Sequence, residues 1–148
     1  MTIRVANEME TDYILRLTGH VIEESTRSHS TNDPYGGYNM FLPLIRNGAY
    51  YLIEEESGWL KGWALIGLDR SSMTGKNIGN VFHLYVFPGY RNFGIGKNLI
   101  KAGIQNLSAL GVETIQLNVF TGNPAKSLYE KLGFRSISTF MELNVGKS

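Results

Sequence analysis

Leu84-Tyr85-Val86-Phe87-Pro88-Gly89-Tyr90-Arg91-Asn92-Phe93-Gly94-Ile95-Gly96-Lys97 is the stretch of this 148-residue chain on which the fold turns. The apolar and aromatic run over 81–87 reads as a strand, closed by the turn-forming pair Pro88-Gly89. Beyond the loop, Ile95, Leu99, Ile100, Gly103, Ile104, Leu107 and Leu110 trace one face at helical spacing, and Gly111 falls where a helix C-cap belongs. A strand, a glycine loop and a helix in that order aim unpaired backbone N–H groups and the positive end of a helix dipole at one place, which suits a phosphate group. Gly94 and Gly96 let the backbone approach an anion closely, and Arg91 and Lys97 add positive charge.

Spacing removes two of the three glycine loops that share this layout. A Walker loop needs glycine, four residues, glycine, lysine and then serine or threonine, whereas Lys97 is followed by Asn98. A dinucleotide fingerprint needs a third glycine where Leu99 stands. What remains, Arg91-x-x-Gly94-x-Gly96 directly after an apolar strand, resembles the acetyl-CoA signature of the GNAT superfamily. Asn92 stands where that family usually has a glycine, which raises the conformational demand of the turn without removing a backbone ligand. Downstream, Asn123-Pro124-Ala125-Lys126-Ser127-Leu128-Tyr129-Glu130-Lys131-Leu132-Gly133-Phe134 is similar to the family's second segment, with the alanine one place closer to the asparagine. The match covers roughly residues 80–135, and the earlier half agrees only in its order of elements.

The resemblance implies an N-acetyltransferase that uses acetyl-CoA as acyl-donor cosubstrate. It implies an α/β mixed GNAT-type fold, a largely antiparallel twisted sheet of six to seven strands with about four helices, and one domain over 1–148. The implied cofactor-binding residues are Leu84, Tyr85, Val86, Arg91, Asn92, Phe93, Gly94, Ile95, Gly96, Lys97 and Asn123. In that scheme the strand at Leu84 to Val86 splays from its neighbour, the Val86 or Tyr85 N–H lies near the thioester carbonyl, and Asn123 hydrogen-bonds the pantetheine arm. Tyr129 takes the place of the general acid. Many relatives carry a carboxylate base on the strand before the loop. Here that strand reads Asn80-Val81-Phe82-His83-Leu84, so His83 is the group on it whose ordinary pKa suits proton removal near neutrality. A packed aromatic at 129 and a structural histidine at 83 are the blander readings of the same two residues.

Outward from this core, the expected elements follow local punctuation. Residues 2–5 read as a first strand, and Thr11 is a candidate N-cap for a helix with Ile14, Leu17, Val21 and Ile22 inward. The polar stretch 26–37 precedes a short helix around Met40, Phe41, Leu44 and Ile45. Residues 50–53 and 59–68 read as a hairpin whose tip, 54–58, carries three solvated glutamates. Ile115, Leu117 and Val119 alternate as a half-buried strand, and Asn123 with Pro124 opens a helix that Gly133 stops. Residues 134–137 and 139–143 are expected to complete the sheet.

Composition bounds the function. Fourteen basic against thirteen acidic side chains exclude the basic footprint that nucleic-acid binding needs. The absence of cysteine removes disulfides, thiolate metal sites and acyl-cysteine chemistry, and no metal is expected. No run approaches the roughly 20 apolar residues needed to cross a bilayer, and the start of the chain lacks a leader pattern, so the expected location is cytoplasmic, without a membrane partner. The expected acceptor is a small-molecule or peptide amine, in a pocket near 29–38 with Asp33, Tyr35 and Tyr38 as candidate walls and Asn118 as another. Residues 136–145 leave homodimer formation open. The competing function is a non-catalytic CoA-binding sensor or assembly module, favoured by the missing strand carboxylate. A donor carrying a longer acyl chain or an amino acid is the third.

Overall fold

The computed structural model describes residues 2–26, 36–119 and 121–146, with side chains for all of these except 19–26 and 36. β1 (Thr2–Val5) leads into α1 (Glu8–Thr26), which begins ahead of the expected Thr11 cap. The cap is Asn7: its Oδ1 accepts the Glu10 amide at 2.8 Å, while its own amide donates to Glu10 Oε1 at 2.9 Å. Two orphan donors are satisfied reciprocally in this capping box, and Thr11 merely bonds back to the Asn7 carbonyl. After α2 (Gly36–Arg46) come β2 (Tyr50–Glu56), β3 (Trp59–Arg70) and β4 (Asn77–Val86), then a 3-10 turn at Pro88–Tyr90, α3 (Ile95–Ala109), β5 (Ile115–Leu117) and α4 (Ala125–Lys131).

The strands form one sheet in the order β1-β2-β3-β4-β5, antiparallel throughout except for the parallel β4–β5 pair. Alternate residues face opposite layers. On one side Tyr51, Ile53, Trp63 and Leu65 pack with Ile14 and Leu15 of α1 and Phe41 of α2. On the other, Leu52, Ala64, Ile66 and Val81 pack with Ile95, Leu99, Ile100 and Leu107 of α3 and Tyr129 of α4.

Two expectations are corrected here. The β2–β3 turn is only Ser57-Gly58, with φ of 52° and 82°, the pair of left-handed residues that a tight hairpin needs. The three glutamates therefore belong to β2, and Glu54 is 1% exposed instead of solvated. Its Oε2 has no hydrogen-bond partner among the described residues, and desolvation raises the carboxyl's pKa against the opposing pull of Lys61. A raised carboxyl favours the folded state below its unfolded pKa, and that contribution is lost as pH climbs through the folded value. Glu54→Gln is accordingly expected to stabilise the protein at neutral pH by about 1 kcal/mol, roughly 2–4 °C in Tm. Thermal unfolding of both proteins across pH should show the difference shrinking toward about pH 4; a pH-independent difference would contradict the assignment.

The second correction concerns the C-terminal segment. Phe134 packs on Tyr129, but 135–146 is exposed and joins no ladder, so the described residues contain five strands rather than six to seven. Residues 135–143 contain no glycine, proline, asparagine or aspartate to turn a hairpin, which explains why two strands do not form there.

Candidate active site

β3 stays paired with β4 as far as Gly62 opposite Val86, whereas β5 leaves β4 at Val81 opposite Leu117. Phe82 is the extra residue of a bulge facing the Leu65–Ile66 step. Among the described residues, β5 does not extend along β4 from there to Val86, so the backbone of Leu84, Tyr85 and Val86 borders a slot on that side. The expected splay would begin at that point.

At the end of the slot the loop folds tightly. Arg91 Nε donates to the Val86 carbonyl at 2.7 Å and its guanidinium lies 5.3 Å from the Tyr85 ring centroid, so the arginine clamps the loop to the strand it follows. Asn92 has φ of 69°, the left-handed conformation that glycine adopts freely and asparagine tolerates better than most residues. Gly94, at φ 82°, caps α3, and the first bonded amide of that helix is Asn98, 3.0 Å from the Gly94 carbonyl. The amides of Ile95, Gly96 and Lys97 precede that bond and are the orphan donors of the helix start. Phe93 and Lys97 are exposed beside them, while Ile95 is buried as an anchor.

α4 closes the slot from the α3 side. A side-chain carbon at Gly96 would stand 3.5 Å from Leu128, 3.7 Å from Leu84 and 3.7 Å from Val86, so Gly96 sits where the strand edge and α4 meet. One residue after Leu128, Tyr129 is 8% exposed, its ring edge-on to Phe134 at 6.0 Å, and burial pushes its phenol up to about 12. Asn123 Oδ1 accepts the Ala125 amide at 2.9 Å, which caps α4 one residue later than a strict N-cap at Asn123 would.

The opposite side of β4 is aromatic. His83 stacks on Phe41 at 5.1 Å, and Trp63 lies 5.1 Å from Tyr85 and 5.6 Å from Phe87. Trp63 Nε1–H donates to His83 Nδ1 at 3.2 Å. An imidazole that accepts at Nδ1 carries its single neutral-state proton on Nε2. That Nε2 is shielded and has no partner among the described residues, and desolvation lowers the ring's pKa to about 4. The residue as a whole is only partly buried.

The acetyltransferase (GNAT) family model matches residues 15–134. This chain belongs to that family. A mycothiol acetyltransferase of Saccharomonospora viridis is 31% identical over 101 residues, covering 66% of this chain and 33% of that protein. The [ribosomal protein bS18]-alanine N-acetyltransferase of Haemophilus influenzae is 39% identical over 57 residues, 38% of this chain and 39% of that one. The match to the first of these relatives thus spans about a third of its length. Among solved structures, one from Pyrococcus furiosus superposes with a TM-score of 0.84 at 22% identity, covering 97% of this chain and 99% of that one. A ribosomal-protein-alanine N-acetyltransferase from Brucella melitensis gives 0.72 at 19% identity, with 97% of each chain covered.

Within this GNAT chain the expected site residues separate into two groups. Leu84, Val86, Ile95 and Tyr129 share the α3–α4 layer with Gly96 between β4 and α4, Arg91 returns to Val86, Asn123 caps α4, and His83 lies in the opposite, aromatic layer. Of the expected acceptor residues, Tyr38 packs part-buried against that layer and Asn118 is exposed, while Asp33 and Tyr35 lie outside the described residues. Trp63 and Phe41 escaped sequence reading because nothing local ties β3 or α2 to His83; the β3–β4 pairing brings Trp63 to it and the packing of α2 on the sheet brings Phe41. Among the described residues no three acidic, histidine or cysteine side chains gather to hold a metal, and no helix is long and apolar enough to cross a membrane.

Proposed function

We propose that this GNAT chain acts as one domain that transfers an acetyl group from acetyl-CoA to a primary amine by direct attack in a ternary complex. The observation that carries the reading is a line of features along β4: orphan amides at the start of α3, the stretch of β4 beyond the end of β5, and a buried phenol in the same layer as Leu84 and Val86. Bound there, acetyl-CoA supplies an activated acyl thioester. The residues present fit it, since Asn92 keeps the left-handed turn of the loop and Gly96 leaves the space between β4 and α4 clear. Amides of Ile95, Gly96 and Lys97, with the charges of Arg91 and Lys97, hold the pyrophosphate. The open backbone of Leu84, Tyr85 and Val86, with Asn123, holds the arm and sets an N–H against the carbonyl oxygen, where negative charge develops.

Tyr129 supports the leaving sulfur. A phenol held at about 12 stays protonated at every working pH. An ordinary thiol has a pKa of about 8.5, so full transfer from that phenol is uphill, and its contribution is a hydrogen bond to the sulfur as charge builds. His83 is assigned to the acceptor side. With Nδ1 engaged by Trp63 and Nε2 shielded, it shapes that side from within the aromatic layer; proton removal by this ring would require the Trp63 bond to be surrendered. The amine then enters already neutral, and the proton it loses on attack goes to the departing CoA thiolate as the C–S bond breaks and the C–N bond forms.

Thiol release from acetyl-CoA over a panel of amines tests the reaction, and its pH dependence tests the proton chemistry. For two good acceptors of different basicity, kcat/KM is expected to rise with pH along each amine's own titration, with no shared limb near 6.5. A midpoint fixed near that value for both amines would restore an enzymic base. Tight binding of acetyl-CoA without thiol release for any amine would favour the non-catalytic module instead. Names of the relatives put a mycothiol-type acceptor and the alanine amine of a ribosomal protein within the panel.

A further inference from the structure

Trp63 packs in the α1–α2 layer, and Leu60, three residues before it, packs in the same layer. In an unbroken strand side chains alternate, so an odd spacing would place the two on opposite faces. A bulge in β3 reconciles them: Gly62 stands opposite Glu54 and Leu60 opposite Glu55, which leaves Lys61 as the extra residue. The bulge turns Lys61 toward Tyr90, which packs with Val86 and Ile95 in the α3–α4 layer. Lys61 Nζ donates to Glu56 Oε2 at 3.1 Å and lies 5.3 Å from the centroid of the Tyr90 ring. The Lys61 side chain is 15% exposed against 53% for Glu56, so the ammonium is held between a ring face and a carboxylate and is largely withdrawn from water. A cation desolvated in this way binds an aromatic face more strongly than one at the open surface.

The same residue grips the loop through its backbone. The Lys61 carbonyl accepts the Phe87 amide at 2.9 Å, immediately before the 3-10 turn that Tyr90 ends. Arg91 follows and is fixed to the Val86 carbonyl. Three residues, Asn92 to Gly94, separate that anchor from the orphan amides of α3. We infer that Lys61 is a positioning residue for acetyl-CoA: through Tyr90 it fixes the entry of the loop, so that the amides of Ile95, Gly96 and Lys97 stand ready for the pyrophosphate. This rests on the site proposed above. Glu56 neutralises the ammonium, so Lys61 acts by holding Tyr90 in place and not as a further charge on the phosphates. Amides fixed beforehand bind an anion without being ordered at that moment, and the saved ordering appears as affinity. These contacts belong to the loop and not to Tyr129. Lys61 therefore sets how tightly the donor is held, not how fast the acetyl group moves.

Two donors separate this role from a merely structural one: acetyl-CoA, and the acetyl thioester of pantetheine, which keeps the arm and lacks the phosphates. Lys61→Met is expected to raise KM for acetyl-CoA about tenfold, with kcat at saturation and kcat/KM for the pantetheine thioester within about twofold of wild type. Lys61→Arg keeps the ion pair and stacks on aromatic rings, and should bring KM back to within about threefold. Tyr90→Leu reads the same contact from its other side, so the test stands even where Lys61→Met fails to fold. It should show the same pattern, and the double variant should be no worse than either single one. Equal losses with both donors would make Lys61 a structural residue and overturn the inference. An unchanged KM for acetyl-CoA, additive losses in the double variant, or no recovery with arginine would overturn it too. A wild type that binds no acetyl-CoA would reject the site itself and the inference with it, whereas a binding wild type matched by its variants would remove Lys61 alone.

Discussion

Tyr129→Phe is expected to lower kcat by roughly 10²–10⁴-fold while leaving the affinity for acetyl-CoA and CoA within about twofold. The substitution removes one oxygen and keeps the ring that packs edge-on against Phe134. Fold and slot should therefore survive, and unfolding temperature and calorimetric titration would show it. If Tyr129 were only an aromatic in the α4 core, phenylalanine would be silent or mildly stabilising, since a buried hydroxyl would be gone. The two roles predict opposite outcomes in one assay. Turnover within about threefold of wild type would remove Tyr129 from the chemistry. Because burial holds the phenol near 12, the wild-type rate should show no loss from its ionisation through neutral and moderately alkaline pH. An alkaline limb near 9 would mean that the slot is wetter than the structure shows.

What could be read beforehand followed the range of each signal along the chain. The loop and both following helices were legible because glycine and proline act locally: Gly94, Gly111 and Gly133 all adopt the left-handed backbone that their positions at helix ends suggested. Asn92 was legible as a departure, and its φ shows why it is tolerated. Glu54 was misplaced because Glu-Glu-Glu-Ser-Gly does not disclose that its last two residues alone make the turn. The tail was read as strand-like but joins no ladder among the described residues, since alternation fixes which face is apolar and says nothing about what covers it. His83 shows the same limit at a single nitrogen. Its residue type suggested a base, and the Trp63 bond that bears on its proton position comes from the neighbouring strand, twenty residues away.

The glycines of the loop provide the other large effect, and two substitutions separate conformation from space. At Gly94 nothing lies within 4 Å of an added carbon, but φ is 82°, so Gly94→Ala should cost about 1 kcal/mol of stability through backbone strain and weaken acetyl-CoA modestly. At Gly96 φ is that of an ordinary helix, and an added carbon would make only van der Waals contact with Leu128, Leu84 and Val86. Gly96→Ala is therefore expected to fold normally and bind acetyl-CoA with a loss of about tenfold or less. Gly96→Trp points an indole at the meeting of the open β4 edge and α4, where the arm is proposed to lie. Binding should fall below detection by calorimetry, a loss of at least about 10³-fold, or roughly 4 kcal/mol, with an unfolding transition still present. The graded series matters more than either end of it. Equal losses for alanine and tryptophan would place the defect in the loop backbone, and full binding by the tryptophan variant would show that the arm runs elsewhere, taking with it the assignment of the β4 slot and of Tyr129 beside it.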